Sequence, residues 1–461
     1  MSGRGGILEL IARGKKDAFF TSNPKTSFFH SVYRKYSATV EEIHLTAPRN
    51  PPEWGRWVEF ELEHRGDLVR KFHLRITLPT WLPPYVVAAN PTSFVSDASG
   101  VSYGYCNNIG YQVLEKIQVF QDQLLIQELY GEYLDWKVRQ ASTTAQVLVM
   151  AAAVGSRGET TMDVSRAATP GELRVPIPIL GWESVGDPGF PTIAVRNQRF
   201  RIRILLRNLE DVVVASDGRL KPTPWTASLR LQRTRTGPQE SFTPLPYPSV
   251  AKGITMYLET SQVYVPRDIQ EWLRISNWKI PYRSTQYLEF HVADNQMNAA
   301  TTAVANFTLP FPLDFTGAAS RLFVALQRGA ARKAGQRTAL LSGAVRQLRI
   351  NINNIDRMQP FAAEVYREVA AYWKHIRASQ DVGNPELPQE VFTFVFGGRE
   401  SPQPAGTLNF TRANIPLLWL LFGPVSIDTR TQSRDLFVIS YLETFEILEC
   451  EEGKGKRVLL E

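Results

Sequence analysis

Prolines and glycines punctuate this chain from end to end, thirty of each in 461 residues. Between them lie short runs rich in Val, Ile, Phe and Tyr. Long helices do not survive that spacing, because proline removes an amide donor and clashes with the turn before it. Short extended segments joined by turns do. The runs VEFELEHRG and DLVRKFHLRITLP place apolar residues at every second position, as a strand with one buried face requires. The chain is expected to be all-β.

The alternation divides the chain in two. Residues 58–79 predict a hairpin turning at Arg65-Gly66-Asp67, and residues 113–120 and 124–129 predict two strands around Gln121-Asp122-Gln123, with a helix beginning at Tyr130. LRVPIPIL, FPTIAV, the strictly alternating RFRIRILLR and ITMYLETSQVYV complete a first set. PRDIQEWL, with proline at its start and charges in its first turn, predicts a linker helix over 266–273. Strand grammar then resumes in YLEFHVA, FTLPFPLDF, RLFVALQ, VRQLRININNI, EVFTFVFG, AGTLNFTR, IPLLWLLFG and RDLFVISYLETFEIL. One helix is expected from Phe361 to Trp373, where apolar residues recur at helical spacing. Residues 139–172, 208–250 and 328–346 read as long inserted loops.

At 461 residues two domains are expected: residues 37–265 and 266–461, after a base segment over 1–36. Two tandem eight-stranded antiparallel jelly rolls fit two such runs of strands, although other β-sandwich pairs would also satisfy the pattern. Cys106 and Cys450 lie far apart and read as small buried residues, so a disulfide framework is excluded and a reducing compartment is expected. No signal peptide fits the N-terminus. No apolar stretch reaches the roughly 20 residues of a spanning helix.

The net charge of +7 is too mild to imply nucleic-acid binding, and no direct genome contact is expected. Two stretches are locally basic: the first 36 residues, and the acid-free run that holds Arg321, Arg328, Arg332, Lys333, Arg337, Arg346 and Arg349. For each, a solvated surface is the plain alternative to a binding role. In the first stretch Ile7, Leu8, Leu10 and Ile11 line one flank of a short helix that Gly14 can end. Two turns cannot be stable alone, so the segment must dock. The aromatic density from Phe19 to Tyr36 points the same way.

The order of motifs resembles the major capsid proteins of nucleocytoplasmic large DNA viruses, the double jelly-roll family with phycodnavirus-like and iridovirus-like members. The N-terminus carries the glycine-led helix, Asn-Pro turn, Phe-Phe pair and Tyr-Arg pair at Gly5, Gly6, Asn23, Pro24, Phe28, Phe29, Tyr33 and Arg34. Asn108 and Gly110, then Gln127, Tyr130, Gly131, Glu132 and Leu134, match the first-domain hairpin and helix start. Val175, Pro176, Pro178, Asp187, Pro188, Gly189 and Ala194 match the segments that come next. In the second half Asn353, Asp356, Arg357, Tyr366, Tyr372 and His375 carry the match, then Gly406, Asn409 and Arg412 within PAGTLNFTR. Asn354 stands where the family usually has glycine, and asparagine can also adopt the left-handed conformation.

The resemblance implies a shell tile: a homotrimer of pseudo-hexagonal outline whose six barrels meet neighbouring trimers in an icosahedral virion capsid assembled in the host cytoplasm. Minor capsid and penton proteins are its implied partners. Its basic N-terminal base, with Ile7, Leu8, Ile11, Lys15, Lys16, Asn23, Pro24, Phe28, Phe29, Tyr33 and Arg34, is expected to face inward, toward minor proteins or an internal membrane. No enzyme, cofactor or metal is expected. The chain shows no H-E-x-x-H, P-loop or Rossmann fingerprint, and His64 and His73 lack further ligands nearby in sequence. Asn306-Phe-Thr and Asn409-Phe-Thr are sequons read as structural. Two rival readings stay open: a transient double-barrel scaffold, and a cellular β-sandwich carbohydrate binder or hydrolase.

Overall fold

The alternating runs become strands because each presents one apolar face. In Phe200–Leu206 the residues Phe200, Ile202, Ile204 and Leu206 are fully buried, while Arg201 and Arg203 between them are only half-buried. A computed structural model describes residues 38–79, 103–141, 150–156, 170–180, 189–195, 198–215, 230–236, 239–245, 253–297, 307–337, 340–341, 343–363, 365–366, 391–397, 406–423, 425, 433–451 and 454–458. The chain divides into two units, Met1–Thr39 and Val40–Glu461, and both barrels belong to the second.

The first barrel contains β1 (Val40–Thr46), β2 (Trp57–Glu61), β3 (Leu68–Thr77), β4 (Leu114–Gln121), β5 (Leu124–Leu129), β6 (Glu172–Pro176), β7 (Phe200–Leu206) and β8 (Thr255–Tyr264). Its two antiparallel sheets have the orders β1-β8-β3-β6 and β2-β7-β4-β5. The second barrel contains β9 (Trp278–Val292), β10 (Phe307–Pro312), β11 (Ala318–Arg328), β12 (Val345–Ile352), β13 (Ile355–Ala362), β14 (Val391–Val395), β15 (Leu417–Phe422) and β16 (Leu436–Glu451). Its sheets run β9-β16-β11-β14 and β10-β15-β12-β13, the same order repeated. This is a jelly roll followed by a second jelly roll.

The expected hairpin over residues 58–79 does not form. Its two strands exist, but β2 pairs with β7 and β3 pairs with β8 and β6 in the opposite sheet. Alternation identifies a strand, whereas its partner is set by how the sheets close on the core. The turn acquires another use: the Asp67 carboxylate accepts hydrogen bonds from Val265 N at 2.9 Å and Gln270 Nε2 at 3.0 Å. It thereby ties helix α2 (Arg267–Ile275) to the first barrel. That helix starts after Pro266, as expected, and its Leu273 packs with Ile193, Val263 and Val265.

Three further expectations change. Phe361 and Ala362 extend strand β13, with Phe361 opposite Leu348, so the expected helix starts two residues late: Ala363, Val365 and Tyr366 are helical, and residues 367–390 lie outside the described residues. The 208–250 connection is not irregular throughout, since Arg230–Thr236 and Gln239–Leu245 pair as a two-stranded sheet. Residues 329–333 form a short helix with Ala330 and Ala331 buried, and Arg337 beyond it is buried too. The base residues Ile7 through Arg34, with Asp187 and Pro188, lie outside the described residues.

One apolar cluster fills the first barrel and continues through Tyr282, Phe323, Ile439, Tyr441 and Leu448 of the second. A separate cluster around Leu322, Val324, Leu348, Leu420 and Leu442 fills the second barrel. The barrels therefore share part of their core. Cys106 and Cys450 are both buried, and burial pushes the Cys450 thiol up to about 12. Among the described residues no helix is long and apolar enough to cross a membrane.

Candidate functional site

Of the described landmark residues of the first half, Gln127, Tyr130 and Glu132 reach the seam between the barrels, and Asn108, Gly110 and Gly131 brace the helix that carries Glu132. Asn108 adopts φ 52, and its Nδ2 donates to the buried Asp135 carboxylate at 2.9 Å while Gln112 Nε2 donates to the other oxygen at 3.2 Å. Asp135 belongs to helix α1 (Gly131–Ala141), so the turn and the helix are pinned together. The approach is close enough to require glycine. A Cβ on Gly131 would stand 2.1 Å from the Tyr111 carbonyl oxygen and 2.2 Å from that of Leu114, and one on Gly110 would stand 2.8 Å from Val175 Cγ2.

Helix α1 then points charge into the seam. Glu132 is buried, accepts a 2.9 Å hydrogen bond from the Tyr441 hydroxyl on β16, and lies 3.3 Å from Arg207 and 3.7 Å from Arg337. Burial pushes its pKa up, but Arg207, Arg337 and Arg332 outweigh that and hold the carboxyl below its usual range. Arg337 also reaches Asp211 at 3.2 Å, and Arg332 donates to Glu289 at 2.6 Å.

A second buried carboxylate comes from the other barrel. Glu443 on β16 accepts from Arg321 Nη2 at 2.9 Å, Arg321 Nε at 3.2 Å and Ser320 Oγ at 2.7 Å, and also from the Tyr133 hydroxyl of α1. Arg283 lies 3.3 Å away and Lys137 of α1 3.7 Å away. Burial again pushes the pKa up, and Arg283, Arg321 and Lys137 hold it well below the usual range. The Tyr441 hydroxyl is driven well above its ordinary value by burial and by Glu132. Tyr130, Tyr287 and Tyr441 pack with ring centroids 5.1–5.5 Å apart.

Strand contacts complete the seam. From β9, Tyr282 donates to the Ile126 carbonyl at 2.8 Å and Thr285 Oγ1 to that of Glu128 at 2.9 Å. Gln127 Nε2 donates to the Arg283 carbonyl at 2.7 Å, and Glu128 N to Ser284 Oγ at 3.0 Å. At the barrel end, Gln121 Nε2 donates to the Gly455 carbonyl of the strand Lys454–Val458, which pairs with β16.

The second-half landmarks shape loops away from this seam. Asn353 and Asn354 both take positive φ, 56 and 60, so Asn354 does assume the conformation its usual glycine would. Asp356 accepts from Asn351 at 2.9 Å and Arg349 at 3.3 Å, while Arg357 is exposed. Gly406 takes φ 117. Asn409 caps the turn ending at Arg412 by accepting from the amides of Thr411 and Arg412, which accounts for that sequon structurally.

Reading the sequence missed Glu443, Arg207 and Tyr441, and weighed Arg321, Arg332 and Arg337 as a binding stretch or a solvated surface, whereas Arg321 and Arg337 are buried and Arg332 is half-buried, all three beside buried or half-buried carboxylates. The available signal was charge at inward positions of otherwise apolar strands, as in SYLETFEIL. It also passed over Gly100-Val101-Ser102-Tyr103-Gly104, a G-x-S-x-G match. Gly100, Val101 and Ser102 lie outside the described residues, and Tyr103–Tyr105 is a strand paired with Val213–Ala215. His64 lies edge-on to Phe200, and His73 sits beside Glu259, its pKa lowered by burial and Arg174. Among the described residues no group of three His, Cys, Asp or Glu is placed to hold a metal.

Residues 27–226 match the family model for the major capsid protein N-terminus. "Probable capsid protein 4" of Acanthamoeba polyphaga mimivirus is 28% identical over 130 residues, covering 28% of this chain and 24% of its own. The chain thus spans about a quarter of that relative's length. The major capsid protein of Paramecium bursaria Chlorella virus 1 is 23% identical over 439 residues, 92% of this chain and 89% of the relative. Among solved structures, the quasi-atomic PBCV-1 virus capsid superposes with a TM-score of 0.67 at 13% identity, covering 94% of this chain and all of that one. At that identity the likeness concerns the fold.

Proposed function

Because the chain belongs to the major capsid protein family of large DNA viruses, we propose that it is the tile of such a virus's shell: a homotrimer of pseudo-hexagonal outline that packs with its like into an icosahedral capsid. The observation that carries this reading is the seam. Two barrels of identical strand order share an apolar core and two buried carboxylates with their cations, Glu132 and Glu443. Such a block turns as one body, as a tile must. Three blocks around an axis supply six similar barrels, and closed three-fold symmetry ends the assembly at a ring. The role is structural, and the chemistry is association.

In this reading the barrels are the domains 37–265 and 266–461. The base segment 1–36, with Ile7, Leu8, Ile11, Lys15, Lys16, Asn23, Pro24, Phe28, Phe29, Tyr33 and Arg34, faces the capsid interior, where its cations suit anionic lipid headgroups or minor capsid proteins. Minor capsid and penton proteins meet the trimer edges, and assembly occurs in the host cytoplasm. Deleting residues 1–36 and finding trimers and shells unchanged would refute the base-segment role.

The test of the whole is the protein composition of purified mature particles. A tile is their most abundant polypeptide. A chain present in assembly intermediates and absent from mature particles would be a scaffold, and the proposal would fail.

A further inference from the structure

Five large apolar residues stand exposed at one end of the paired barrels. Leu124 and Ile355 sit at the tips of hairpins β4–β5 and β12–β13, Ile415 in the loop before β15, and Trp272 and Ile275 on α2, exposed by 52%, 56%, 66%, 58% and 81%. Hydrogen bonds and register place these elements together. β5 and β9 start at the same end, since Ile126 meets Tyr282 and Glu128 meets Thr285. Gln121 of the first tip bonds Gly455, which lies opposite Cys450, and Cys450 lies opposite Trp278 at the start of β9, just after α2. Leu313, in the loop leading into β11, bonds Pro416 beside Ile415, and β11 begins opposite Phe445 near the end of β16.

The two hairpin tips are built alike. Asp122, at φ 52, donates its amide to the Arg199 carbonyl at 2.8 Å and accepts from Arg199 N on its carboxylate at 3.0 Å. Asn353, at φ 56, donates its amide to the Asn414 carbonyl at 3.1 Å and accepts from Asn414 N on its side-chain oxygen at 2.8 Å. Each barrel thus clamps its tip to the chain entering the next strand, and each clamped tip presents an aliphatic side chain to solvent. Next to the second clamp Ile415 holds φ 47, a conformation unfavourable for a β-branched residue. Strain of that kind at an exposed apolar position points to use.

Separate protruding side chains match a continuous apolar medium better than a groove, and tryptophan favours the boundary between lipid and water. Trp272 packs edge-on against Trp278, ring centroids 4.8 Å apart. Charge agrees with an anionic surface. Arg199 flanks the first tip, Arg357 the second, and Arg274 lies between Trp272 and Ile275, all three exposed, while Glu271 of α2 is engaged by Arg267. The chain also enters the first barrel at this end, at Val40 opposite Tyr264, directly after a stretch with seven Lys and Arg against Glu9 and Asp17.

We propose that this end of the barrels docks on an anionic lipid surface. Leu124, Ile355, Ile415, Trp272 and Ile275 enter the boundary of the acyl region, and Arg199, Arg274 and Arg357 lie among the headgroups. A neighbour in the same layer meets the sides of a tile, so its end stays free for this contact. The assignment rests on the tile reading with the N-terminal end inward, and gives the barrels a lipid contact of their own, separate from the base segment.

Flotation of the full-length chain with vesicles of equal parts phosphatidylcholine and phosphatidylserine tests it, beside vesicles of phosphatidylcholine alone. The native chain should float with both, more tightly with the first. Ile275→Ser and Ile355→Ser, with unchanged circular dichroism, should each weaken binding to both by about tenfold. Tyr257→Ser, at an exposed ring on β8, should change nothing. Deleting residues 1–36 should reduce the preference for phosphatidylserine and leave the binding that depends on the tips. Binding abolished by that deletion and indifferent to Ile275→Ser and Ile355→Ser would overturn this assignment and leave the base segment as the lipid contact. A native chain that ignores both vesicles, yet stops building shells when Ile275 and Ile355 are replaced, would assign the end to a protein neighbour and overturn the lipid. A chain that floats as expected while remaining a monomer would uphold the lipid contact and overturn the tile.

Discussion

The Tyr441 hydroxyl of β16 donates a 2.9 Å hydrogen bond to the buried Glu132 carboxylate of α1, so the last long strand of the second barrel is held by the helix that comes after β5 of the first. Arg207 and Arg337 flank the same carboxylate at 3.3 and 3.7 Å. A buried ion pair adds little to stability compared with a well-packed apolar substitute, because desolvation offsets most of the attraction. Losing one partner is different, since the remaining charges stay buried.

Glu132→Ala should therefore cost about 3–5 kcal/mol of unfolding free energy, read from denaturant midpoints at constant slope. The exposed pair Arg267–Glu271 on α2, 3.2 Å apart, is the control. Glu271→Ala should change the midpoint very little. Equal effects from the two substitutions would mean that the seam ion pairs carry no special weight.

Acid should loosen the seam. Glu132 and Glu443 both ionise below the usual carboxylate range in the folded chain and revert to about 4.3 when unfolded. Between those values the unfolded chain binds more protons, so the contribution is complete at neutral pH and is lost as pH falls below about 5 toward the folded values. Denaturant melts from pH 7 to pH 4 should show the decline, and Glu443→Gln should flatten it. A profile identical in the variant would assign the acid sensitivity elsewhere.

Gly131→Ala tests the close approach of α1 to the turn at Asn108. The added methyl would meet two backbone oxygens near 2 Å, and backbone cannot step aside as a flexible side chain can. Overpacking of this kind costs about 1–3 kcal/mol. A melting temperature equal to that of the native chain would show that α1 can shift freely.

Much of the fold was legible in the sequence because strand alternation is a local signal. RFRIRILLR reads as β7 without knowledge of its neighbours, and Pro266 marks the start of α2. Pairing is not local, which is why β2 and β3 looked like one hairpin while each joined a different sheet. The seam was illegible for the same reason. Arg332 and Arg337 sit in an acid-free stretch, and the acids they meet, Glu289, Glu132 and Asp211, come from remote segments. Only Glu132 was flagged, as part of the Tyr-Gly-Glu motif, and the motif alone does not reveal that its carboxylate is buried.

The proposed tile of three copies has a mass that light scattering on the purified full-length chain measures directly. The expected result is three times the 52.1 kDa of one chain, stable on dilution. A mass of one chain across the concentration range would contradict the tile.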